Sequence, residues 1–460
     1  MPKVKGPFLV LAVIVTLIIL LSPAPEGLSH EGKAALAVFA MCFILWTTGA
    51  LPLSVTSLLA IALLPLFGAL DAGQAFALFG NRAVFFILGA FILAAAMMSS
   101  GLSARVALFF LRRFEKSPKR LLSGVILSCA FMAMWMPAHA VAALMFPIVL
   151  EIASALKLEP RFSNYGKAIF LSMAWGCVIG GVATLLGGAR NPLAIALLRE
   201  KYNVAISFTG WMYAVFPIPL VLVLAVHLFV FKFFAPEIDD VRPARELIER
   251  KVRDLGAMSL TEKKVLAIML ATIGAWIVLG DRVGLAPIGI LGASTLFVAQ
   301  ALTWNEVERY VNWGVILMYG GAIALAAALE ITGAARWIVT YVIGFVELSP
   351  FVLIAFVALI SIVLTEAMSN AAVVALVLPI AFELGDTVSG VSPMLMVFSV
   401  ALPAGLAFSL PIGTPPNAIA YSARYHRIRD SVKVGVFLNL TALATFLLVA
   451  RFYWPKIGIY

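Results

Sequence analysis

The chain has 460 residues, 63% hydrophobic and 12% charged, with a formal net charge of +10 and a mean hydropathy of +1.06. A water-soluble domain carries about 25% charged residues, so the composition excludes a soluble enzyme or binding module and indicates a polytopic membrane protein. The positive surplus lies in short loops between apolar stretches, as the positive-inside rule requires, and is not a nucleic-acid surface.

At roughly 20 apolar residues per crossing, the chain accommodates about 11 spans plus shorter re-entrant pieces. Lys3 and Lys5 precede an apolar run, Phe8–Leu21, interrupted only by Thr16. A signal peptide shares that pattern, but the chain continues directly into further spans, which indicates an uncleaved first span. Spans follow near residues 34–50, 51–69 and 83–111, then a basic cluster of Arg112, Arg113, Lys116, Lys119 and Arg120. The apolar block 121–156 is interrupted at Met136–His139. Pro137 lacks an N–H and breaks a helix, so the block reads as two half-helices of a re-entrant hairpin. Residues 166–198 form a span broken at Gly187–Pro192, and 209–235 return.

The one long polar connection, 236–264, mixes Arg242, Arg245, Glu246, Glu249, Arg250, Lys251, Arg253 and Asp254 with Leu247, Ile248 and Val252. That pattern is an amphipathic helix on the membrane surface. Spans near 264–280, 286–302 and 313–345 come next. They lead to a hairpin over 350–384 interrupted at Ser369–Asn370, a broken span over 395–423 and a last span over 434–451.

Two segment pairs repeat in one register. Gly89–Gly101 matches Gly321–Gly333, and Met136–Ile148 matches Met368–Ile380, each with 7 of 13 positions identical and each 232 residues apart. One such match would be weak in apolar sequence; two at one offset indicate an internal duplication. Counting crossings places the basic clusters after Phe110, at 236–264 and at Arg424–Lys433 on the side of the N-terminus, which should be cytoplasmic. The two hairpins then enter from opposite faces. The expected fold is therefore all-α: two inverted-topology repeats with re-entrant hairpins and broken transmembrane helices, the pattern of a secondary transporter. The organisation expected is scaffold spans over 1–120, a transport hairpin and broken span over 121–207, a returning span over 208–235 and a linker over 236–263. The second copy supplies scaffold spans over 264–349, a hairpin and broken span over 350–433, and a last span over 434–460.

In hydrocarbon every backbone N–H and C=O needs a partner, so breaking a helix there is costly. Each copy breaks twice, at Pro137–His139 and Gly187–Asn191, and at Ser369–Ala371 and Gly413–Asn417. A lone kink serves packing. Four at equivalent places suit a binding site, because helix N-termini offer N–H groups to an anion and freed carbonyls can hold a small cation. Cys42, Cys129 and Cys177 have neither metal-ligand spacing nor a disulfide framework.

At these residues the chain resembles the divalent anion:sodium symporters, which move dicarboxylates, citrate or sulfate by an elevator mechanism. The similarity lies in Leu51–Leu59 (LPLSVTSLL), Gly101–Leu108 (GLSARVAL), Thr365–Asn370 (TEAMSN) and Gly413–Ala418 (GTPPNA). The resemblance implies a homodimer held by scaffold spans, no enzymatic activity, and no cofactor beyond cotransported sodium. It implies a substrate site at Ser369, Asn370, Thr414, Pro415 and Asn417, to which the matching first-copy positions add Asn191 and, where this sequence departs from the family, Arg190 and His139. A sodium site is implied in the second copy alone, at Ser369, Asn370, Ala371, Gly413, Thr414 and Asn417. The first copy departs from the family pattern of Ser-Asn-Thr tips: its tip reads Pro137-Ala138-His139, and its loop reads Gly187-Gly188-Ala189-Arg190-Asn191. Side-chain oxygens are lost there and two basic groups gained.

Arg190 is either a substrate or cation-site residue, or the partner of Glu366 in a salt bridge, or a side chain that snorkels to the interface, with Glu366 otherwise holding its hairpin. His139 is either a proton-coupling group or a hydrogen-bonded filler. His30, His227 and His426 read as loop, interfacial or packing residues, and Trp46, Trp211, Trp304 and Tyr453 as interface anchors. The rival readings are an arsenite permease or sodium/proton antiporter, which wants a buried carboxylate where only Glu366 is available, and a membrane-embedded enzyme, for which His139 lacks an acidic partner in the sequence.

Overall fold

The computed structural model describes residues 5–343 and 349–459, and every regular element among them is helical. Among the described residues nine helices are long and apolar enough to cross a membrane, or ten if the bent pair Phe208–Val215 and Pro217–Phe233 counts as one span. The all-α polytopic architecture expected from the sequence is the one observed.

The duplication extends to helix boundaries. Leu53–Leu66, Pro118–Trp135 and Ala138–Ala155 recur, 232 residues on at both ends, as Leu285–Val298, Pro350–Ala367 and Asn370–Thr387. It extends to packing as well. A Cβ on Gly89 would meet the Gly289 backbone, and one on Gly321 would meet the Ser57 backbone. These two contacts exchange under the same offset, so a helix of each repeat packs on a helix of the other. Close backbone approach through small residues is the usual way membrane helices gain contact, since lipid offers no hydrophobic drive between them.

Each hairpin breaks for a local reason. Ser117 caps Pro118–Trp135 by accepting from Arg120 N, proline stands at the helix start, and the chain turns extended at Met136 (φ −134°, ψ 152°) before Pro137. In the second hairpin Met368 is extended likewise (φ −142°, ψ 169°), and Ser369 precedes the returning helix.

Two expected spans are shorter than the hydropathy suggested. The 83–111 stretch divides at Gly101 (φ +85°), and Leu102–Arg113 continues as a separate helix. Its counterpart divides at Gly333 (φ +70°) into Ala334–Trp337 and a π-helical turn, Ile338–Ile343; the last residues of the expected 313–345 span lie outside the described residues. Glycine reaches this left-handed backbone without a Cβ penalty, and an apolarity average cannot see the turn. The linker forms the helix Arg242–Leu255 with Leu247 and Ile248 buried. It is tied down by Lys251–Glu151 at 2.8 Å and by Arg105, which reaches Glu262 at 2.7 Å and the Gly256 carbonyl at 3.0 Å. Trp46 and Trp211 are not interface anchors. Both are buried, with Nε1 donating to Leu53 O and Val182 O, whereas Trp304 is 53% exposed.

Candidate functional site

The first broken helix comprises Asn164–Ala183 and Arg190–Tyr202. Thr184 ends its first half by donating to the Met134 carbonyl of the hairpin and accepting from Leu186 N. Asn191 Nδ2 then reaches back to the carbonyls ten and seven residues earlier, Gly181 at 3.1 Å and Thr184 at 2.7 Å. The second broken helix comprises Pro393–Ala401, a short turn Pro403–Gly405, and Pro415–Ser422. There Asn417 Nδ2 donates to the carbonyls at the same two separations, Ala407 at 3.0 Å and Leu410 at 3.3 Å. Each asparagine thereby satisfies carbonyls freed by the break, and each is left with a buried Oδ1 lacking a hydrogen-bond partner. Thr414 caps the last helix by accepting from Asn417 N.

Glu366 closes the second break. Its carboxylate accepts from the backbone N–H groups of Phe408 (3.0 Å), Ser409 (2.9 Å) and Leu410 (2.7 Å), and from Asn439 Nδ2 (2.7 Å). The ion pair with Arg190 that the sequence left open is not formed; Glu366 holds the broken-helix loop against its hairpin. The residue 232 positions earlier is Met134, whose carbonyl receives Thr184. The same joint is thus made by a carboxylate in one repeat and a hydroxyl in the other.

The two hairpin tips and two loops converge on one cavity of ≈ 560 Å³. Of the expected residues, His139, Arg190, Ser369, Asn370, Ala371, Gly413, Thr414 and Pro415 line it. Asn191 and Asn417 are not on its wall; they stand behind it and brace the loops. Leu53, Asn312 and Val315, at helix ends on the face of the basic clusters, line the cavity on the other side.

The two ends of the site differ. In the second, the Asn370 side-chain nitrogen, set where its neighbours require a donor, gives to Thr365 Oγ1 at 2.8 Å and to the Ala404 and Gly413 carbonyls at 3.2 Å. Its carbonyl oxygen is then free of those partners and can face a ligand, alongside the Thr414 hydroxyl. In the first, Ala138 takes the equivalent position and keeps only a backbone bond to Gly187 O at 3.1 Å. His139 adds a ring set edge-to-face on Phe91, with centroids 6.4 Å apart.

Arg190 opens the helix Arg190–Tyr202 and is 4% exposed. Among the described residues no carboxylate lies within ion-pair distance of it, and its Nε and Nη2 have no hydrogen-bond partner. The guanidinium lies against Gly405 of the second broken helix, where a Cβ would collide with it. A buried, unpaired cation costs several kcal/mol, so it needs an anion. The Tyr319 hydroxyl, near Arg190 on the helix Trp313–Ile331, is likewise buried without a partner. Sequence reasoning missed Gly405 and Tyr319. Nothing marks Gly405 among the chain's many glycines, and Tyr319 reads as one more membrane aromatic. Thr365 lies in the TEAMSN segment, but its bonds to Ala404 and Asn370 required coordinates.

Comparison with known proteins agrees with this architecture. A family profile described as the sodium:sulfate symporter transmembrane region matches residues 4–460. A sodium-dependent dicarboxylate transporter SdcS of Staphylococcus saprophyticus is 31% identical over 98% of this chain and 91% of its own length. The transporter of the same name from Staphylococcus aureus strain RF122 is 30% identical over 98% and 93%. Among solved structures, the Alcanivorax borkumensis YdaH transporter superposes with a TM-score of 0.58 at 13% identity, covering 94% of this chain and 99% of its own. Neisseria gonorrhoeae MtrF, described with a class of antimetabolite efflux pumps, gives 0.57 at 13% identity over 96% and 93%. At such identity the two structures speak for the fold alone. The family match spans nearly the whole chain: this protein belongs to the sodium:sulfate, or divalent anion:sodium, symporter family, as a multi-pass secondary anion transporter whose first hairpin tip carries Pro137-Ala138-His139.

Proposed function

We propose that the protein carries a small divalent anion, a dicarboxylate in the first instance, across the cytoplasmic membrane by an elevator movement, with sodium coupling reduced to at most one ion and with exchange favoured over net uptake. The observation that carries this reading is the buried, unpaired Arg190 facing the cavity where both hairpin tips meet. A fixed cation there stands where a first sodium would otherwise balance the anion, while Ser369–Ala371 and Gly413–Asn417 keep the oxygens for a second. The names of the relatives support dicarboxylate as the substrate class.

The moving body comprises the hairpins and broken helices, 121–207 and 350–433, with the returning spans 208–235 and 434–460. Its parts are cross-braced: Trp175 Nε1 donates to Phe408 O at 3.1 Å, and Tyr425 OH to Leu158 O at 3.2 Å, each joining the two repeats. The helices of 1–120 and 264–349 form the scaffold and hold a homodimer. The N-terminus is cytoplasmic, and the described conformation has its site toward that face. The anion sits between Arg190 and His139 on one side and Ser369, Asn370, Thr414 and Pro415 on the other. Asn191 and Asn417 keep the loops in register. The test is uptake into proteoliposomes with labelled succinate, citrate and sulfate, with and without sodium. Saturable transport of at least one dianion supports the reading; no transport of any of them overturns it.

A further inference from the structure

A second cavity, of ≈ 910 Å³, lies on the face opposite the basic clusters. Helices Arg82–Ser99, Leu260–Val283 and Leu285–Val298 form one side, and Arg190–Tyr202 the other. Its floor is apolar, with Phe86, Ile195 and Ile290, and descends to Leu185 and Pro192, the back of the first broken-helix loop. Its rim carries Arg82, Arg199 and Arg282 against a single acid, Asp281. Among the described residues none of the three arginines lies within ion-pair distance of a carboxylate. The neighbouring Glu200 is engaged by Asn81 at 3.3 Å.

The three arginines stand at or near helix ends. Arg82 is the first residue of its helix, Arg282 the last but one of its own, and Arg199 stands three residues before the end at Tyr202. Helix ends of membrane spans mark the headgroup level, where lipid phosphates sit. Guanidinium groups bind phosphate in paired hydrogen bonds. An apolar floor running inward from such a rim gives a soluble dianion nothing to bind, whereas an acyl chain lies along it without bringing apolar surface into contact with water.

We propose that this crevice is a binding site for one anionic phospholipid, its phosphodiester on Arg82, Arg199 and Arg282 and an acyl chain along the floor toward Leu185. The site stands independently of the transport reading. If that reading is right, the lipid lies between scaffold and moving body and must leave, or slide, for the carrier to reach its other state.

The test is native mass spectrometry of the whole purified protein in mild detergent, titrated with phosphatidylglycerol or with phosphatidylcholine of the same acyl chains. Wild type should retain one phosphatidylglycerol at least tenfold more tightly than phosphatidylcholine. The triple variant Arg82→Gln, Arg199→Gln, Arg282→Gln should lose that preference. Ile290→Trp, which fills the floor and leaves the arginines intact, should lose the bound lipid too. If the triple variant does not fold, Arg282→Gln and Ile290→Trp are read alone, each with weaker phosphatidylglycerol retention expected. Equal retention of both lipids by wild type overturns the proposal, as does undiminished phosphatidylglycerol binding in the variants. Displacement of the lipid by millimolar succinate also overturns it, since the crevice would then be a vestibule for soluble anions.

Discussion

Replacing Arg190 by alanine should weaken anion binding and, beyond that, change the mode of transport. In a sodium symporter the cation leaves with the substrate, so the emptied carrier returns without a stranded charge. Arg190 cannot leave. It is 4% exposed, two of its guanidinium nitrogens lack partners, and Glu366 is fully occupied by three backbone N–H groups and Asn439. An uncompensated charge at membrane depth costs about 3 kcal/mol. At a factor of ten for each 1.4 kcal/mol or so, empty return should be about 100-fold slower than anion-loaded transit. The assay is counterflow: labelled dicarboxylate uptake into proteoliposomes preloaded with unlabelled anion, compared with empty ones. Wild type should take up label far faster when preloaded, and Arg190→Ala should narrow the gap by gaining net transport relative to exchange. Equal wild-type rates in loaded and empty liposomes would refute the reasoning, because an unpaired guanidinium would then cross the barrier at no cost.

Three further outcomes follow from the same geometry. Gly405→Ala places a Cβ against the Arg190 guanidinium. With overpacking at about 1–3 kcal/mol, dicarboxylate transport should fall about tenfold, whereas the same substitution made in an Arg190→Ala background should cost little; an equal fall there means the two residues do not share a site. Sodium titration of uptake should give a Hill coefficient no greater than about one, and Asn370→Ala should raise the sodium concentration needed without changing the exchange ratio; cooperative sodium dependence contradicts a single ion. Glu366→Gln removes the charge shared by Phe408, Ser409 and Leu410 N–H and should destabilise the protein by about 2 kcal/mol, read as a lower thermal midpoint in detergent, whereas an unchanged midpoint shows that the carboxylate is not what closes the break.

The repeat was legible because duplicated helices keep both spacing and small residues: the offset read from Gly89 and Gly321 reappears in helix boundaries and in the exchanged contacts with Gly289 and Ser57. Pro137 and the Ser369–Asn370 step announced the hairpins, because a missing N–H or a polar pair inside hydrocarbon needs a reason. What the sequence hid were features set by direction rather than composition. Gly101 and Gly333 end their spans through a left-handed backbone that an apolarity average does not register. Asn191 and Asn417 carry the residue type of a ligand, yet their nitrogens point backward to close the broken helices. Whether Arg190 met Glu366 depended on which way each side chain ran from a shared interior. Gly405 matters only because a guanidinium from the other repeat lies over it.

The most direct test of the central claim is a structure of the protein determined with a dicarboxylate bound. The account requires one dianion in the cavity between the hairpin tips, with a carboxylate on the Arg190 guanidinium and contacts to Asn370 and Thr414. A dianion elsewhere, or one held by the second hairpin while Arg190 is paired with a protein carboxylate, would contradict it.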